Sequence, residues 1–522
     1  MTRQKSDDRT VPEGRRKAVP TRGDECLGGG RAVTVNEEAL QLELRLGTAD
    51  SSRAVQRTVG GTDAGRPAPE PHAAPKTRSK GEKAAHPTME EVSKRLREAF
   101  QNVASNKGAP GPDRQCIEEV REHLDEVLPK LKTAIEGGTY EPGNIRRVWI
   151  PKSGGGQRGL GIPNVIDRVV QEAVRLVLEP LYEPTFHAAS HGFRPGRSCH
   201  TAIDQARGYV DEGNGWVVDL DLEKFFDRVN HQRLMARLAQ RITDRCLLVL
   251  IGRMLKAKVV MPDGVVVSTD EGVPQGGPLS PLLSNIVLDE FDAELERRGH
   301  RFVRYADDCN IYVRSERAGQ RVMASVVRFL EGRMRLKVNA TKSAVARPEE
   351  RHFLGFRLRR EPMDGATEVL LSVRSKERLD EAIRERTPRT WGSPLRACIL
   401  GLNMYLRGWA GFFGICTTAV EQVLTSVDAH IRRRLRAIQL RHWKRRSTIA
   451  KRLIRLGVSV RTAWRGVYAG DKSTWALSHS TAVDRGLRNA YFAERGLESV
   501  AELWRKAAER IGGPKQLALT LG

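Results

Sequence analysis

The sequence predicts an α+β fold followed by a helical, strongly basic C-terminal region. Short β-rich runs mixed with helical spacing fill residues 145–358. Adjacent carboxylates stand between two such runs at Asp307-Asp308, and beyond about Ser372 the apolar spacing becomes helical while Arg accumulates. Strands and helices mixed without a regular βαβ alternation make up the α+β class.

In chain order, residues 1–87 are rich in Gly, Pro, Ala, Thr and charge, as in Gly28-Gly29-Gly30 and Arg66-Pro67-Ala68-Pro69-Glu70-Pro71. Such a composition buries too little apolar surface to offset the entropy of ordering, and predicts a disordered basic extension. Residues 37–44 interrupt it with a short helix or strand. Thr88-Met89-Glu90-Glu91 has the form of a capping box and predicts a helix continuing through Leu96 and Phe100. A loop follows at Lys107-Gly108-Ala109-Pro110-Gly111-Pro112-Asp113, and then helical spacing from Ile117 to Ile135 that Gly137-Gly138 ends.

A chain of 522 residues is long enough for several domains, which usually run to about 100–200 residues each. Lys and Arg number 88 against 64 Asp and Glu, a formal charge of +24 that favours a polyanionic partner such as nucleic acid. An anionic membrane surface would attract the same charge, but no apolar run approaches the ~20 residues of a spanning helix and no secretory signal is present. The expectation is a cytoplasmic protein with no membrane partner. The seven Cys are scattered without a C-x-x-C pair, which predicts a reducing compartment and no structural zinc. His191 and His200, near Cys199, read as packed or backbone-bonded groups.

The sharpest feature is the run at residues 301–313, where two β-type stretches flank a tight turn holding Asp307 and Asp308. Two anions at the tip of a buried hairpin repel each other unless a cation offsets them, and hard oxygen ligands suit Mg²⁺. A second source of carboxylates is Trp216-Val217-Val218-Asp219-Leu220-Asp221, a β-rich run that leads into Leu222-Glu223-Lys224-Phe225-Phe226-Asp227. Nucleotidyl transfer by two metal ions draws its carboxylates from separate strands. Taken singly, a D-x-D at a strand end is an ordinary capping or solvated pattern, and an Asp pair is an ordinary turn. Their joint occurrence points to chemistry.

From about Met89 to its C-terminus the sequence resembles the reverse transcriptases encoded by group II introns. Tyr305-Ala306-Asp307-Asp308 is similar to the family's Y-A-D-D box. The resemblance implies that Asp221, five residues before an aromatic, is the other metal-binding Asp, and that Phe226 is the gate against a ribose 2′-hydroxyl. It makes Asp219 a strand neighbour. It implies two Mg²⁺ ions held by Asp221, Asp307 and Asp308.

Further boxes follow the family's order. Gly272-Val273-Pro274-Gln275-Gly276-Gly277-Pro278 is similar to the P-Q-G box, with Gln275 at the incoming nucleotide; by itself it is a helix-entry loop. Residues 150–163 resemble the fingers hairpin whose basic groups, here Lys152 and Arg158, grip the triphosphate; a solvated β-turn is the plain alternative. His191-Gly192-Phe193-Arg194-Pro195-Gly196-Arg197-Ser198 resembles the next box, which touches the template backbone or shapes the nucleotide pocket. Lys342 takes the position of a general acid for pyrophosphate, and Phe353-Leu354-Gly355-Phe356 that of the primer-grip turn.

The resemblance implies a right-hand polymerase: fingers and palm with an N-terminal extension at residues 88–371, an all-helical thumb/maturase (X) domain at 372–450, and a short DNA-binding (D) region at 451–522. Arg432, Arg433, Arg434, Lys444, Arg445 and Arg446 are the expected contacts to intron RNA, although a run of charge is commonly just a solvated helix face. Nothing in the sequence resembles the H-N-H endonuclease of many relatives. The implied function is RNA-directed DNA synthesis from deoxynucleoside triphosphates, with binding of the intron RNA to assist splicing and of target DNA in retrohoming. A splicing-only maturase and a related enzyme of defence or repair are the alternatives.

Overall fold

The computed structural model describes residues 87–151, 156–361, 365–470 and 473–512. The expected extension, apart from its last residue, and Lys152 lie outside the described residues.

The N-terminal helices are shorter than their sequence spacing suggests. Thr88 caps the first through its hydroxyl, which accepts the Glu91 N–H at 3.3 Å. That helix stops at Lys94, and a second spans Leu96–Ser105. At the break the Arg95 N–H bonds to the Val92 carbonyl, a tight turn that resets the register. Similarly, the expected helix from Ile117 to Ile135 divides at His123 into Ile117–Glu122 and Leu124–Glu136.

The strands are β1 (Ile145–Pro151), β2 (Gln157–Ile162), β3 (Trp216–Leu220), β4 (Val259–Val260), β5 (Val266–Val267), β6 (Arg301–Tyr305), β7 (Asp308–Val313), β8 (Ala344–Ala346), β9 (Phe356–Arg360) and β10 (Thr367–Leu371). They form a fingers sheet in the order β2-β1-β4-β5, a palm sheet in the order β6-β7-β3-β8, and the hairpin β9-β10. Every pairing in the palm sheet is antiparallel.

The palm sheet is buried on both faces. Val217, Val303, Tyr305 and Tyr312 join a core with helix Cys199–Asp211, the β9-β10 hairpin and the C-terminal helices. Val218, Leu220, Phe302, Cys309 and Ile311 join a second core with the N-terminal helices and helix Ser280–Arg297. Successive strand residues point to opposite faces, so each core takes alternate side chains and the strands read as nearly continuous apolar runs.

Beyond Ser372, whose hydroxyl caps helix Val373–Arg386, the described chain is helical. The junction is aromatic: Phe356 stacks on Phe412 and lies tilted against Phe413, with ring centroids 5.6 and 5.1 Å away. His200 reaches across from the palm to the Phe412 carbonyl at 2.6 Å. No helix among the described residues is long and apolar enough to cross a membrane.

Candidate active site

Strand register brings the carboxylates together. Leu220 lies opposite Cys309 and Asp219 opposite Asn310, so continuing the ladder by one residue sets Asp221 across from Asp308. Tyr305 pairs with Asp308, which leaves Ala306 and Asp307 as a two-residue turn. Asp221, Asp307 and Asp308 are all half-buried, at one end of the palm sheet.

The turn is a strained one. Ala306 has φ 56°, a left-handed conformation that costs a residue with a Cβ roughly 1–2 kcal/mol. Gly192 packs under it so closely that a Cβ there would lie 2.2 Å from the Ala306 nitrogen. The loop carrying Gly192 is itself hydrogen-bonded to β6, through the His191 N–H to the Arg304 carbonyl and the Arg304 N–H to the Ala189 carbonyl, both 2.8 Å. The loop at residues 189–192 thus shapes the turn that carries Asp307.

Residues 336–343 close the other side. The Asn339 N–H donates to the Asp221 carbonyl at 2.8 Å, and the Asp221 N–H to the Ser343 hydroxyl at 3.0 Å. This crossing places the Lys342 ammonium 3.4 Å from the Asp221 carboxylate. Asp219, by contrast, is turned to Arg351, with guanidinium nitrogens at 2.6 and 2.8 Å. Burial raises the Asp219 carboxyl above its ordinary value, against the pull of Arg351.

The residues expected at the nucleotide also meet. Arg158 on β2 donates from Nε to the Gln275 side-chain oxygen at 2.7 Å, and the Gly161 N–H donates to the Gln275 carbonyl at 2.7 Å. Gly276, at φ 125°, permits the approach: a Cβ would come within 2.4 Å of the Gly161 oxygen. Phe226 is pinned from the same loop, its carbonyl accepting the Val273 N–H at 2.6 Å, and its ring stands edge-on to Phe225.

Among the described residues, no group of three or more His, Cys, Asp or Glu side chains closes into a metal cage. Mg²⁺ used with nucleotides takes one or two carboxylates and completes its octahedron with phosphate oxygens and water. Half-buried carboxylates, all hard oxygen donors, fit that demand. His191 and His200 take no part. His191 bonds to Thr201 and Gln205 at 2.9 and 2.6 Å, and burial lowers its imidazole to about 4.

Sequence reasoning missed the group behind the turn. Arg304, only 1% exposed, forms an ion pair with Asp292, which is fully buried. The available signals were a charge inside an apolar strand and an acid inside an apolar helix, each alone uninformative.

The basic residues of the C-terminal region separate by environment. Arg433, Lys444 and Arg445 are exposed, and Arg432 and Arg446 half-buried, Arg446 donating to the Gly470 carbonyl at 3.1 Å. Arg434 departs from the expected RNA-contact set: it points inward and donates to the Thr387 hydroxyl at 2.6 Å and carbonyl at 2.7 Å. It joins helix Glu421–Trp443 to the end of helix Val373–Arg386, because its position falls on the inner stripe of its helix.

Comparison with known proteins bears on these segments. Residues 150–358 match the reverse transcriptase (RNA-dependent DNA polymerase) family, and residues 376–455 match the maturase-specific domain of group II introns. Protein YkfC of Escherichia coli (strain K12) is 35% identical over 304 residues, covering 50% of this chain and 80% of YkfC. The group II intron-encoded protein LtrA of Lactococcus lactis subsp. cremoris is 40% identical over 196 residues, 37% of this chain and 32% of LtrA. A COX1/OXI3 intron 2 protein of Saccharomyces cerevisiae is 30% identical over 369 residues, 59% of this chain and 42% of that protein. The chain thus spans most of YkfC but less than half of the two intron proteins.

Proposed function

The chain belongs to the group II intron-encoded reverse transcriptases with a maturase domain, and from that membership we propose that it copies RNA into DNA and binds its own intron RNA to assist splicing and mobility. The observation that supports the polymerase half is the β3-β7 ladder, which ends with Leu220 opposite Cys309, next to Asp221 and Asp308, beside the Ala306-Asp307 turn.

Two Mg²⁺ ions, held by Asp221, Asp307 and Asp308, would when bound supply the positive charge that activates the primer 3′-hydroxyl and steadies the leaving pyrophosphate. The chain's own groups do the rest. Arg158 and Gln275, together with Lys152, receive the deoxynucleoside triphosphate. Phe226, fixed by Val273, fills the space a ribose 2′-hydroxyl would need. Lys342, which lies beside Asp221, gives a proton to pyrophosphate as the bond from the α-phosphorus to the bridging oxygen breaks.

For RNA, the contact set is Arg432, Arg433, Lys444, Arg445 and Arg446, without Arg434. Recognition of folded RNA rests on backbone contacts and stacked, unpaired bases. Target DNA falls to the D region, where Trp464 and Tyr468 stack at 5.4 Å on an exposed helix face beside Arg461 and Arg465.

Primer extension on an RNA template with Mg²⁺ tests the polymerase, comparing wild type with Asp307→Ala. cDNA from the wild type alone is the expected result, and none from either leaves the splicing-only reading. Sequencing of co-purified RNA tests the maturase half: lack of the flanking intron would point to a defence or repair enzyme.

A further inference from the structure

The Arg304 guanidinium uses all five of its N–H donors inside the protein. Nε and Nη2 bond to the Asp292 carboxylate at 2.7 and 2.5 Å, and Nη2 also to the Ser190 hydroxyl at 2.7 Å. Nη1 bonds to the Asn285 side-chain oxygen at 3.0 Å and to the Ala306 carbonyl at 2.9 Å. A buried ion pair is weak evidence for stability, since apolar residues of similar volume often serve as well. What apolar residues could not do is hold a carbonyl. The carbonyl held here belongs to Ala306, the left-handed residue of the turn, and its peptide leads directly into Asp307.

The partners come from three segments around the site. Ser190 precedes the Gly192 contact under the turn. Asn285, which also donates to the Gly192 carbonyl at 2.9 Å, and Asp292 lie on helix Ser280–Arg297, which continues from the Gln275 loop. The fixed geometry of a guanidinium suits such a clamp, and an ammonium cannot reproduce it.

We infer that Arg304 is a positioning residue for metal binding, which through the Ala306 carbonyl fixes the turn so that Asp307 is presented in its binding geometry. It touches no substrate. The inference rests on the polymerase reading for its consequence in synthesis, but its direct consequence is for divalent-cation affinity.

The test uses the full chain bound to a primer–template, with Mn²⁺ binding followed by electron paramagnetic resonance and the Mg²⁺ dependence of single-nucleotide addition measured in parallel. Arg304→Lys keeps the charge and loses the fork. Its Mn²⁺ affinity per folded molecule should fall about tenfold, the size seen when groups supporting metal ligands are removed. Excess Mg²⁺ should restore most of the rate, while the KM for deoxynucleotide stays unchanged. A purely structural role would reduce the amount of folded enzyme without moving the affinity, and that result overturns the inference. Should Arg304→Lys not fold, the isosteric Asp292→Asn carries the same test: weaker Mn²⁺ binding is expected, and wild-type affinity refutes the claim. If the wild type binds Mn²⁺ yet makes no cDNA, the polymerase reading fails while the shift in affinity still decides the role of Arg304.

Discussion

Arg158 on the fingers hairpin and Gln275 on the loop before helix Ser280–Arg297 are hydrogen-bonded at 2.7 Å, although 117 positions separate them in the chain. The bond joins the group proposed to grip the triphosphate to the group proposed to meet the incoming nucleotide. Arg158→Ala and Gln275→Ala should each raise the KM for deoxynucleotide about tenfold, or ~1.4 kcal/mol. Because they share one interaction, the double variant should fall short of the sum by ~1 kcal/mol. Steady-state single-nucleotide kinetics check this, and strict additivity would count against the coupling.

The backbone of Phe226 is held by the Val273 N–H, and its ring stands edge-on to Phe225. Phe226→Ala should admit ribonucleotides, lowering the preference for deoxynucleotides roughly 10–100-fold, the range in which a pocket discriminates by filling space. Competition between the two nucleotide classes in primer extension measures it. An unchanged ratio would remove Phe226 from the gate.

Arg433 and Arg434 are adjacent in sequence and opposite in environment. Arg433→Ala, Lys444→Ala and Arg445→Ala should each flatten the salt dependence of RNA binding by about 0.7 in log–log slope, one phosphate contact apiece. Arg434→Ala should leave that slope alone and destabilise the fold by about 2–3 kcal/mol, through the unpaired groups left at Thr387. Filter binding across salt concentrations and denaturant melts separate the two behaviours.

Burial lowers His191 to about 4 from its ordinary value of 6.5. Its folded form therefore disfavours the proton. The stability it contributes is complete above pH ~6.5 and is lost as pH falls toward ~4, where the unfolded chain takes up a proton that the folded one resists. Denaturant melts of wild type should weaken across that window more steeply than those of His191→Gln. Parallel profiles for the two would show that His191 is not a source of the slope.

The reaction chemistry was legible in the sequence where it was local. The β-runs around Asp307-Asp308 and the run into Asp221 announced strands, and adjacency of like charges announced a site. What could not be read was pairing across distance. Arg351 claims Asp219, Arg304 finds Asp292, and Lys342 arrives at Asp221 through a crossing that no spacing encodes. The arginine run in helix Glu421–Trp443 misled for a related reason: a string of charge reads as surface, and only packing reveals that Arg434 turns inward. The helix breaks at Arg95 and His123 escaped because apolar spacing persists across a one-residue reset of the turn.

A sheet sandwiched between two cores has a consequence for how this protein can be taken apart. Val217, Val303 and Tyr312 share one core with helix Cys199–Asp211 and the β9-β10 hairpin, whose Phe356 rests against Phe412 and Phe413 of the C-terminal region, so cutting the chain after β10 would bare the hairpin's aromatic side and leave a sticky fragment.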